Sequence, residues 1–208
     1  RTVTDPLLRD AIAVQGLEEE RHALLLETLI ERYGITAAPR RGPALPPDLE
    51  QAFVDAGYGE CIDSFFAFGL FAVAGRSGFF PRALLEVVEP ILAEEARHIV
   101  FFVNWEAYNR SHTGRRLLAV RAARAIRYYV RAVRRRLGVF RDAGASGFTA
   151  GGAHTVALNL TPERFLQTCL QENARRLAGF PPELLRPRVV PAIARLTLRG
   201  LRLAARRP

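Results

Sequence analysis

The sequence contains no lysine and no methionine, and it has only two cysteines in 208 residues. Two cysteines (Cys61 and Cys169) are too few for a disulfide scaffold. The longest apolar run, from Phe65 to Ala74, is too short for a membrane span, which takes roughly 18 residues. Because 49% of the residues are hydrophobic and 25% are charged, the composition is globular and excludes disorder, collagen and coiled-coil rods.

The absence of lysine means that all 30 basic residues are arginine, and they are unevenly distributed. Residues 1–110 hold 10 Arg and 17 Asp or Glu, a net charge of −7, whereas residues 111–208 hold 20 Arg and 4 Asp or Glu, a net charge of +16. We interpret this split as an acidic part and a basic part with separate roles. A solvated arginine-rich surface without a binding role is an equally good interpretation of the basic part.

Hydrophobic periodicity predicts long helices and no strand, and therefore an all-α protein. The first three helices are long enough for a bundle (residues 1–112), on which a basic helical extension (residues 113–208) is expected to pack. Glycines in the second helix indicate a bend, Gly75 to Gly78 a turn, and Pro90 a kink in the third helix. The predicted helices cover residues 5–33, 48–74, 81–108, 115–137 and 161–179, with a last helix beginning near residue 191.

A short motif, E-E-x-R-H, occurs twice, and its core consists of the pairs Glu19/His22 and Glu95/His98. Residues three apart on a helix leave from the same face, so each pair offers one carboxylate and one imidazole to a common point. First-row metals such as iron and manganese accept this mixture of oxygen and nitrogen ligands. Since only about 0.3 Glu-x-x-His pairs are expected by chance in this composition, the duplicate favours a metal site.

Both pairs also lie on the apolar stripe of their helix, where successive members are three or four residues apart. A carboxylate buried in such a stripe is destabilising unless it is paired or bound to a metal. A metal site and a buried Glu–Arg or Glu–His network both meet that condition. The stripes comprise Leu8, Ile12, Gln15, Glu19, His22, Leu26, Leu29 and Tyr33 in the first helix, and Leu84, Val88, Ile91, Glu95, His98, Phe102 and Trp105 in the third.

The second helix carries a further carboxylate on its predicted stripe. Glu60 is the candidate for a bridging ligand, and Asp63 follows one turn later. Asp63 is an additional ligand, a partner that orients a histidine, or a residue that only borders the stripe. This stripe comprises Phe53, Ala56, Glu60, Asp63, Ala67, Leu70 and Ala74.

The arrangement resembles the ferritin-like di-iron carboxylate proteins, in which two helices supply one Glu each and two supply Glu-x-x-His. Their chain order is Glu, Glu-x-x-His, Glu, Glu-x-x-His, and residues 5–110 match its last three elements. The longer motif is similar to the D/E-E-x-R-H of the oxygen-activating branch, which includes bacterial multicomponent monooxygenases and ribonucleotide reductase small subunits. Glu stands here at both positions where that branch often has Asp.

The resemblance implies a ferritin-like four-helix bundle with two iron ions, Fe/Fe or Mn/Fe. It implies that the metal ligands are Glu19, His22, Glu60, Glu95 and His98. It also implies that Glu18, Arg21, Glu94 and Arg97 lie behind the histidines, on the side away from the metal. The first Glu of the pattern has no counterpart. Because the sequence starts with Arg1 and has no Met, we expect that Glu on a helix preceding residue 1. Glu172 is the best substitute within the sequence, although a surface position suits it better.

By the same resemblance the protein would be an oxygenase, hydroxylase or oxidase that uses molecular oxygen on a small apolar, lipid-like or carrier-bound substrate. A ferredoxin or reductase would supply electrons, because the sequence has no flavin or nicotinamide motif. Iron-storage or ferroxidase proteins use the same ligands, and a helical adaptor without metal is a third alternative. Aromatic residues that could wall an apolar pocket favour an oxygenase, although core packing explains each equally well. They are Phe65, Phe66, Phe68, Phe71, Phe101, Phe102 and Trp105.

Arginines line one face of the fourth and the last helix, opposite apolar residues that include Ile193, Leu196 and Leu203. Basic amphipathic helices rest on anionic membranes, and they also contact acidic proteins or nucleic acid. We expect a cytoplasmic protein, peripheral at the inner face of a membrane or bound to an acidic partner, and homodimeric as such bundles often are. A tRNA-hydroxylating branch of the family makes RNA a lower-ranked alternative. The stripes are Arg121, Arg124, Arg127, Arg131, Arg134 and Arg135, then Arg195, Arg199, Arg202 and Arg206.

Overall fold

The computed structural model describes residues 5–36, 47–112, 125–134 and 160–205. These ranges contain helices and no strand, which confirms the all-α prediction. Four members of the predicted arginine stripes (Arg121, Arg124, Arg135 and Arg206) lie outside the described residues. The helices are α1 (Pro6–Arg32), α2 (Leu49–Ser77), α3 (Arg82–His112), α4 (residues 125–134), α5 (Pro162–Leu177) and α6 (Val189–Ala204).

The residues predicted to cap the starts of α1 and α5 do so in the structure. Asp5 precedes Pro6, and its carboxylate accepts a hydrogen bond from the backbone N–H of Leu7 at 2.9 Å. Thr161 does the same at the start of α5, where its hydroxyl accepts from the N–H of Arg164 at 3.2 Å. Each cap satisfies a backbone donor that has no partner inside the helix.

The end of α2 differs from its prediction. The helix continues through Gly75 to Ser77, and the hydroxyl of Ser77 donates to the carbonyl of Ala74 at 2.7 Å. Of Gly75 and Gly78, Gly78 is the one with a left-handed conformation, with a φ of 67°. The predicted turn from Gly75 to Gly78 is therefore wrong, because one glycine is enough to end the helix.

The chain forms two compact units, Arg1–Phe53 and Val54–Pro208, with the boundary inside α2. The first unit contains α1 and the start of α2, and His22 is the only buried residue of α1. The second unit contains the rest of α2 and the helices α3 to α6. Its core is built mainly from α2 and α3, and its most deeply buried side chains are Val54, Cys61, Phe65, Phe68, Ile99 and Cys169.

The buried face of α2 is not the predicted stripe. Ala56, Asp63 and Leu70 are exposed, although the stripe placed them in the core. This prediction is wrong because α2 is apolar on nearly all sides, so its periodicity does not single out one face. The buried positions are Val54, Gly57, Tyr58, Gly59, Cys61, Ile62, Ser64, Phe65, Phe68, Gly69 and Val73.

Two glycines of α2 are sites of close helix packing. A Cβ on Gly57 would overlap the ring of Phe102 in α3. A Cβ on Gly69 would overlap the sulfur of Cys169 in α5 and lie 2.9 Å from the Cα of that residue. Where the sequence suggests a bend, these glycines let α2 lie against its neighbours without room for a side chain.

Polar contacts hold the C-terminal part of the second unit to α3. The guanidinium of Arg176 donates two hydrogen bonds to the carboxylate of Glu89, at 2.8 and 3.0 Å, and its carbon lies 5.2 Å from the centre of the Phe68 ring. The side chain of Asn104 exchanges two hydrogen bonds with the backbone of Leu185, at 2.9 and 3.0 Å. Residues that follow the predicted metal ligands thus pack directly on the helix that carries two of them.

The apolar residues that lie opposite the arginines of α6 are not the ones that this helix buries. In α6 the buried apolar residues are Val190, Ala194 and Leu198. The predicted apolar face, Ile193, Leu196 and Leu203, is exposed.

In α4, Arg127 and Arg134 are exposed, but Arg131 donates to the carboxylate of Asp55 in α2 at 2.9 Å. The α4 arginines therefore do not form a single external stripe. In the described part of the chain, no helix is both long and apolar enough to cross a membrane.

Candidate metal centre

In the first unit, α1 brings the side chains of Glu19 and His22 together. The imidazole is buried, and its Nδ1 lies 3.8 Å from a carboxylate oxygen of Glu19, one helical turn earlier. This separation is longer than a hydrogen bond. The carboxylate of Glu19 is half-exposed, so the pair has one buried member and one that reaches the surface of α1.

The second unit repeats this arrangement on α3. The imidazole of His98 is buried, and its Nδ1 lies 3.9 Å from a carboxylate oxygen of Glu95, again one turn earlier. Glu95 is more buried than Glu19. Glu95 and His98 thus offer one carboxylate and one imidazole from neighbouring positions on α3.

The duplication in the sequence is therefore a duplication of local geometry. The same two atoms are paired in both helices, at 3.8 and 3.9 Å. The flanking residues also match in burial, since Glu18 and Glu94 are half-buried while Arg21 and Arg97 are exposed. Two ligands on opposite sides of a metal ion lie about 4.2 Å apart, so both separations are within the span of one ion.

Glu60 lies half-buried on α2, between two buried residues, Gly59 and Cys61. Burial raises the pKa of the Cys61 thiol to about 12, and the carboxylate of Glu60 adds to the effect. Burial likewise raises the pKa of Tyr129, which shares a hydrogen bond with this thiol. The Cys61 thiol is therefore protonated at neutral pH, and Glu60 stays the ligand that the sequence predicts in this segment.

Glu106 is a buried carboxylate to which the sequence analysis assigns no role. It forms an ion pair with Arg110 and accepts a hydrogen bond from the hydroxyl of Tyr58 at 3.2 Å, and Arg110 donates to the same hydroxyl at 3.0 Å. Extending the predicted α3 stripe by four residues beyond Phe102 would have identified it. Glu106 lies two turns beyond His98, roughly 12 Å along the axis, so it belongs to the packing of α3 on α2.

The predicted aromatic residues of α2 and α3 are mainly core residues. Phe65, Phe68, Phe102 and Trp105 are buried, whereas Phe66 is exposed. The ring of Tyr58 is at the centre of an aromatic cluster that joins α2 to α3 and α4. Its neighbours are Phe102 and Tyr129, whose rings meet it edge-on at 5.2 and 4.9 Å, and Tyr128, which stacks on it at 5.2 Å.

The remaining predicted residues are placed as follows. Asp63 is exposed on α2, and Glu172 accepts a hydrogen bond from Arg175 on its own helix at 2.8 Å. His112 is the last residue of α3, and His154 lies outside the described residues.

Comparison with known proteins provides no relative for this chain. No family model matches it, and searches of curated proteins and of solved structures return no match. The interpretation of the Glu/His pairs therefore rests on their sequence and local geometry.

Proposed function

We propose that this protein is a di-iron, oxygen-activating oxidoreductase of the ferritin-like type, with Glu19, His22, Glu60, Glu95 and His98 as iron ligands. The observation that carries the proposal is the duplicated Glu-x-x-His geometry with buried imidazoles. Pairs formed by chance on a helix surface leave the imidazole in water, whereas only 6% and 2% of these side chains are exposed.

The chemistry of the donor set supports iron. Carboxylates and imidazoles suit first-row metals with mixed oxygen and nitrogen ligands, and the same set accepts Fe/Fe or Mn/Fe. Three carboxylates from this chain, those of Glu19, Glu60 and Glu95, would offset part of the charge of two divalent ions. Each buried imidazole can bind a metal in its neutral form, so burial does not require a buried cation.

Two ferrous ions in such a site supply the chemistry for reducing molecular oxygen. In the proposed hydroxylation, a substrate R–H, one O2, two electrons and two protons give R–OH and one water, and an external ferredoxin or reductase provides the electrons. The chain's own residues would hold the ligands in place and limit the access of bulk water, since Ala96, His98, Ile99 and Val100 of α3 are all buried. The proposed substrate is small and apolar, lipid-like or bound to a carrier.

The first experiment measures metal content. Protein expressed with ample iron is expected to contain about two iron ions per chain, and Glu95→Ala and His22→Ala are each expected to lose at least about half of them. Glu86→Ala is the matched control, because this α3 carboxylate is exposed and accepts a hydrogen bond from Arg82, one turn earlier, at 2.7 Å. Elemental analysis gives the stoichiometry, and circular dichroism shows whether each variant keeps its helices.

A wild-type protein without metal contradicts the proposal, and so does iron that persists in both ligand variants. Oxygen uptake then separates an oxygenase from an iron-storage protein. An oxygenase consumes oxygen in proportion to an added organic substrate and a reductant. A ferroxidase consumes it with ferrous iron alone, and that result would replace the proposed activity with iron storage.

The surface of α6 supports a peripheral position on an anionic membrane as a further part of the proposal. Ile193, Leu196 and Leu203 form an exposed apolar row, and the exposed Arg195 and Arg199 flank it. An apolar row bordered by arginines can enter the interface of a bilayer while its cations meet lipid phosphates.

This membrane proposal predicts that the protein co-sediments at low salt with vesicles containing about 30 mol% phosphatidylserine and not with neutral vesicles. Leu196→Ser/Leu203→Ser is expected to lose most of the binding. The matched control is Ile35→Ser/Leu49→Ser, which changes two apolar side chains outside α6 that are 58% and 64% exposed. Absence of binding at low salt would remove the membrane from the proposed partners and leave an acidic protein for the arginines.

A further inference from the structure

The helix α1 has an exposed apolar stripe on a face that does not include His22. Four large side chains form it, and between 52% and 78% of each is exposed. They are seven or three residues apart, which aligns them along one side of a helix. Asp10 and Arg21 occupy the remaining positions of the stripe and are exposed as well. The apolar members are Leu7, Val14, Leu17 and Leu24.

The order of residues along this stripe is self-complementary for antiparallel pairing. If a two-fold axis passes beside the point midway between Val14 and Leu17, each of these residues faces the other on a second copy. The same axis places Leu7 opposite Leu24, and Asp10 opposite Arg21. Four apolar pairs and two pairs of opposite charge would then line one continuous contact.

The alternative orientation has no such match. In a parallel pair, each residue of the stripe faces its own copy, so Asp10 would face Asp10 and Arg21 would face Arg21, and like charges destabilise a helix pair. The antiparallel arrangement also avoids repulsion at its edges. The flanking Glu20 falls beside Ala13 of the other copy, and Glu27 beside Pro6.

We propose that this stripe is the contact surface of an antiparallel α1–α1 homodimer of the protein. The stripe runs over roughly 26 Å of helix, which makes a contact smaller than a standard protein–protein interface. The dimer is therefore weak and depends on protein concentration. The proposal stands independently of metal binding, because it uses none of the proposed iron ligands.

Sedimentation equilibrium of the full chain, from about 1 to 100 μM, tests the association. Wild type is expected to shift from monomer to dimer within this range, and Leu17→Ser/Leu24→Ser to raise the dissociation constant by about 100-fold or more. Leu196→Ser/Leu203→Ser is the matched control: its leucines are 63% and 65% exposed, against 67% and 64% for the stripe pair, but lie on α6. This control is expected to dimerise as wild type does.

Disulfide trapping tests the orientation. Leu7→Cys and Leu24→Cys variants, mixed under mild oxidation, are expected to form a mixed disulfide between the two chains. Either variant alone is expected to remain largely without a disulfide cross-link. The native thiols of Cys61 and Cys169 are buried, and wild type treated in the same way reports any contribution from them. A wild-type chain that remains monomeric, serine variants that dimerise normally, or a dominant Leu7→Cys self-disulfide would each overturn the proposal.

Discussion

Replacing Glu106 by leucine is expected to lower the free energy of unfolding by about 3–5 kcal/mol. The substitution removes the carboxylate that pairs with Arg110 and accepts from Tyr58, and all three groups lie within the packed region between α2 and α3. Among the described residues, the guanidinium of Arg110 would then keep its charge with the phenol oxygen of Tyr58 as its hydrogen-bond partner. An uncompensated cation in a mostly buried position costs far more than the ion pair contributes.

The double variant Glu106→Leu/Arg110→Met is expected to recover more than half of that loss, because it removes both charges and leaves apolar groups of similar size. Urea denaturation followed by circular dichroism at neutral pH measures both variants. Glu86→Leu, on the exposed side of the same helix, should change the free energy of unfolding by about 0.5 kcal/mol or less. If Glu106→Leu is as mild as Glu86→Leu, the Tyr58–Glu106–Arg110 network is not what stabilises this region.

Adding a single methyl group at Gly69 is expected to destabilise the protein by about 1–3 kcal/mol or more. The new Cβ of Gly69→Ala overlaps the sulfur of Cys169 and also meets its backbone, whose Cα and N lie 2.9 and 3.0 Å away, so α2 and α5 must move apart even if the sulfur is removed. A similar loss is expected for Gly57→Ala, but there the three nearest atoms all belong to the ring of Phe102.

This difference predicts opposite outcomes in two double-mutant cycles. Phe102→Leu should relieve much of the cost of Gly57→Ala, because it removes the ring that the methyl group overlaps. Cys169→Ala should relieve little of the cost of Gly69→Ala, since the backbone of residue 169 remains in place. Strong coupling in the second cycle, measured by urea denaturation, would show that the sulfur alone limits the approach of the helices.

Gly200→Ala in α6 is the control for both glycine variants. A Cβ at this position meets no atom within 4 Å, so the substitution adds helix propensity without a clash. It is expected to stabilise the protein by about 0.5–1 kcal/mol. Equal effects of Gly69→Ala and Gly200→Ala would contradict the close packing of α2 on α5.

These substitutions concern the scaffold that carries the proposed ligands of the second unit. Glu95 and His98 lie on α3 between the Arg176 contact at Glu89 and the network at Glu106. Both ends of this segment are thus tied to other helices of the unit. A rigid α3 would preserve the spacing of the Glu/His pair whether or not a metal is bound.

Several features could be predicted from residues close in sequence. The caps at Asp5 and Thr161 follow from patterns within one or two helical turns. The same holds for the proximity of Glu19 to His22 and of Glu95 to His98, because helix geometry alone places residues three apart on one face. The stripes also place His22 and His98 correctly in the core, but the α1 stripe is wrong for Glu19, Leu26 and Tyr33, which are exposed.

The orientation of the more uniform helices could not be predicted in this way. α2 has apolar residues on all sides, so only the neighbours α3 and α5 select the face that is buried, and they meet it at Gly57 and Gly69. The pattern of α6 places an apolar row opposite its arginines but does not say what covers this row; Ala194 and Leu198 are the residues that enter the core.

The sequence by itself determined the helical class, the helix starts and the repeated Glu/His pairs, because backbone hydrogen bonds and side chains within a few residues decide these features. Only the tertiary structure decided which face of α2 is buried and which stripes of α1 and α6 remain exposed. It also decided that Glu106 becomes the partner of Arg110 and Tyr58. These outcomes depend on residues far apart in the chain, whose packing no local pattern encodes.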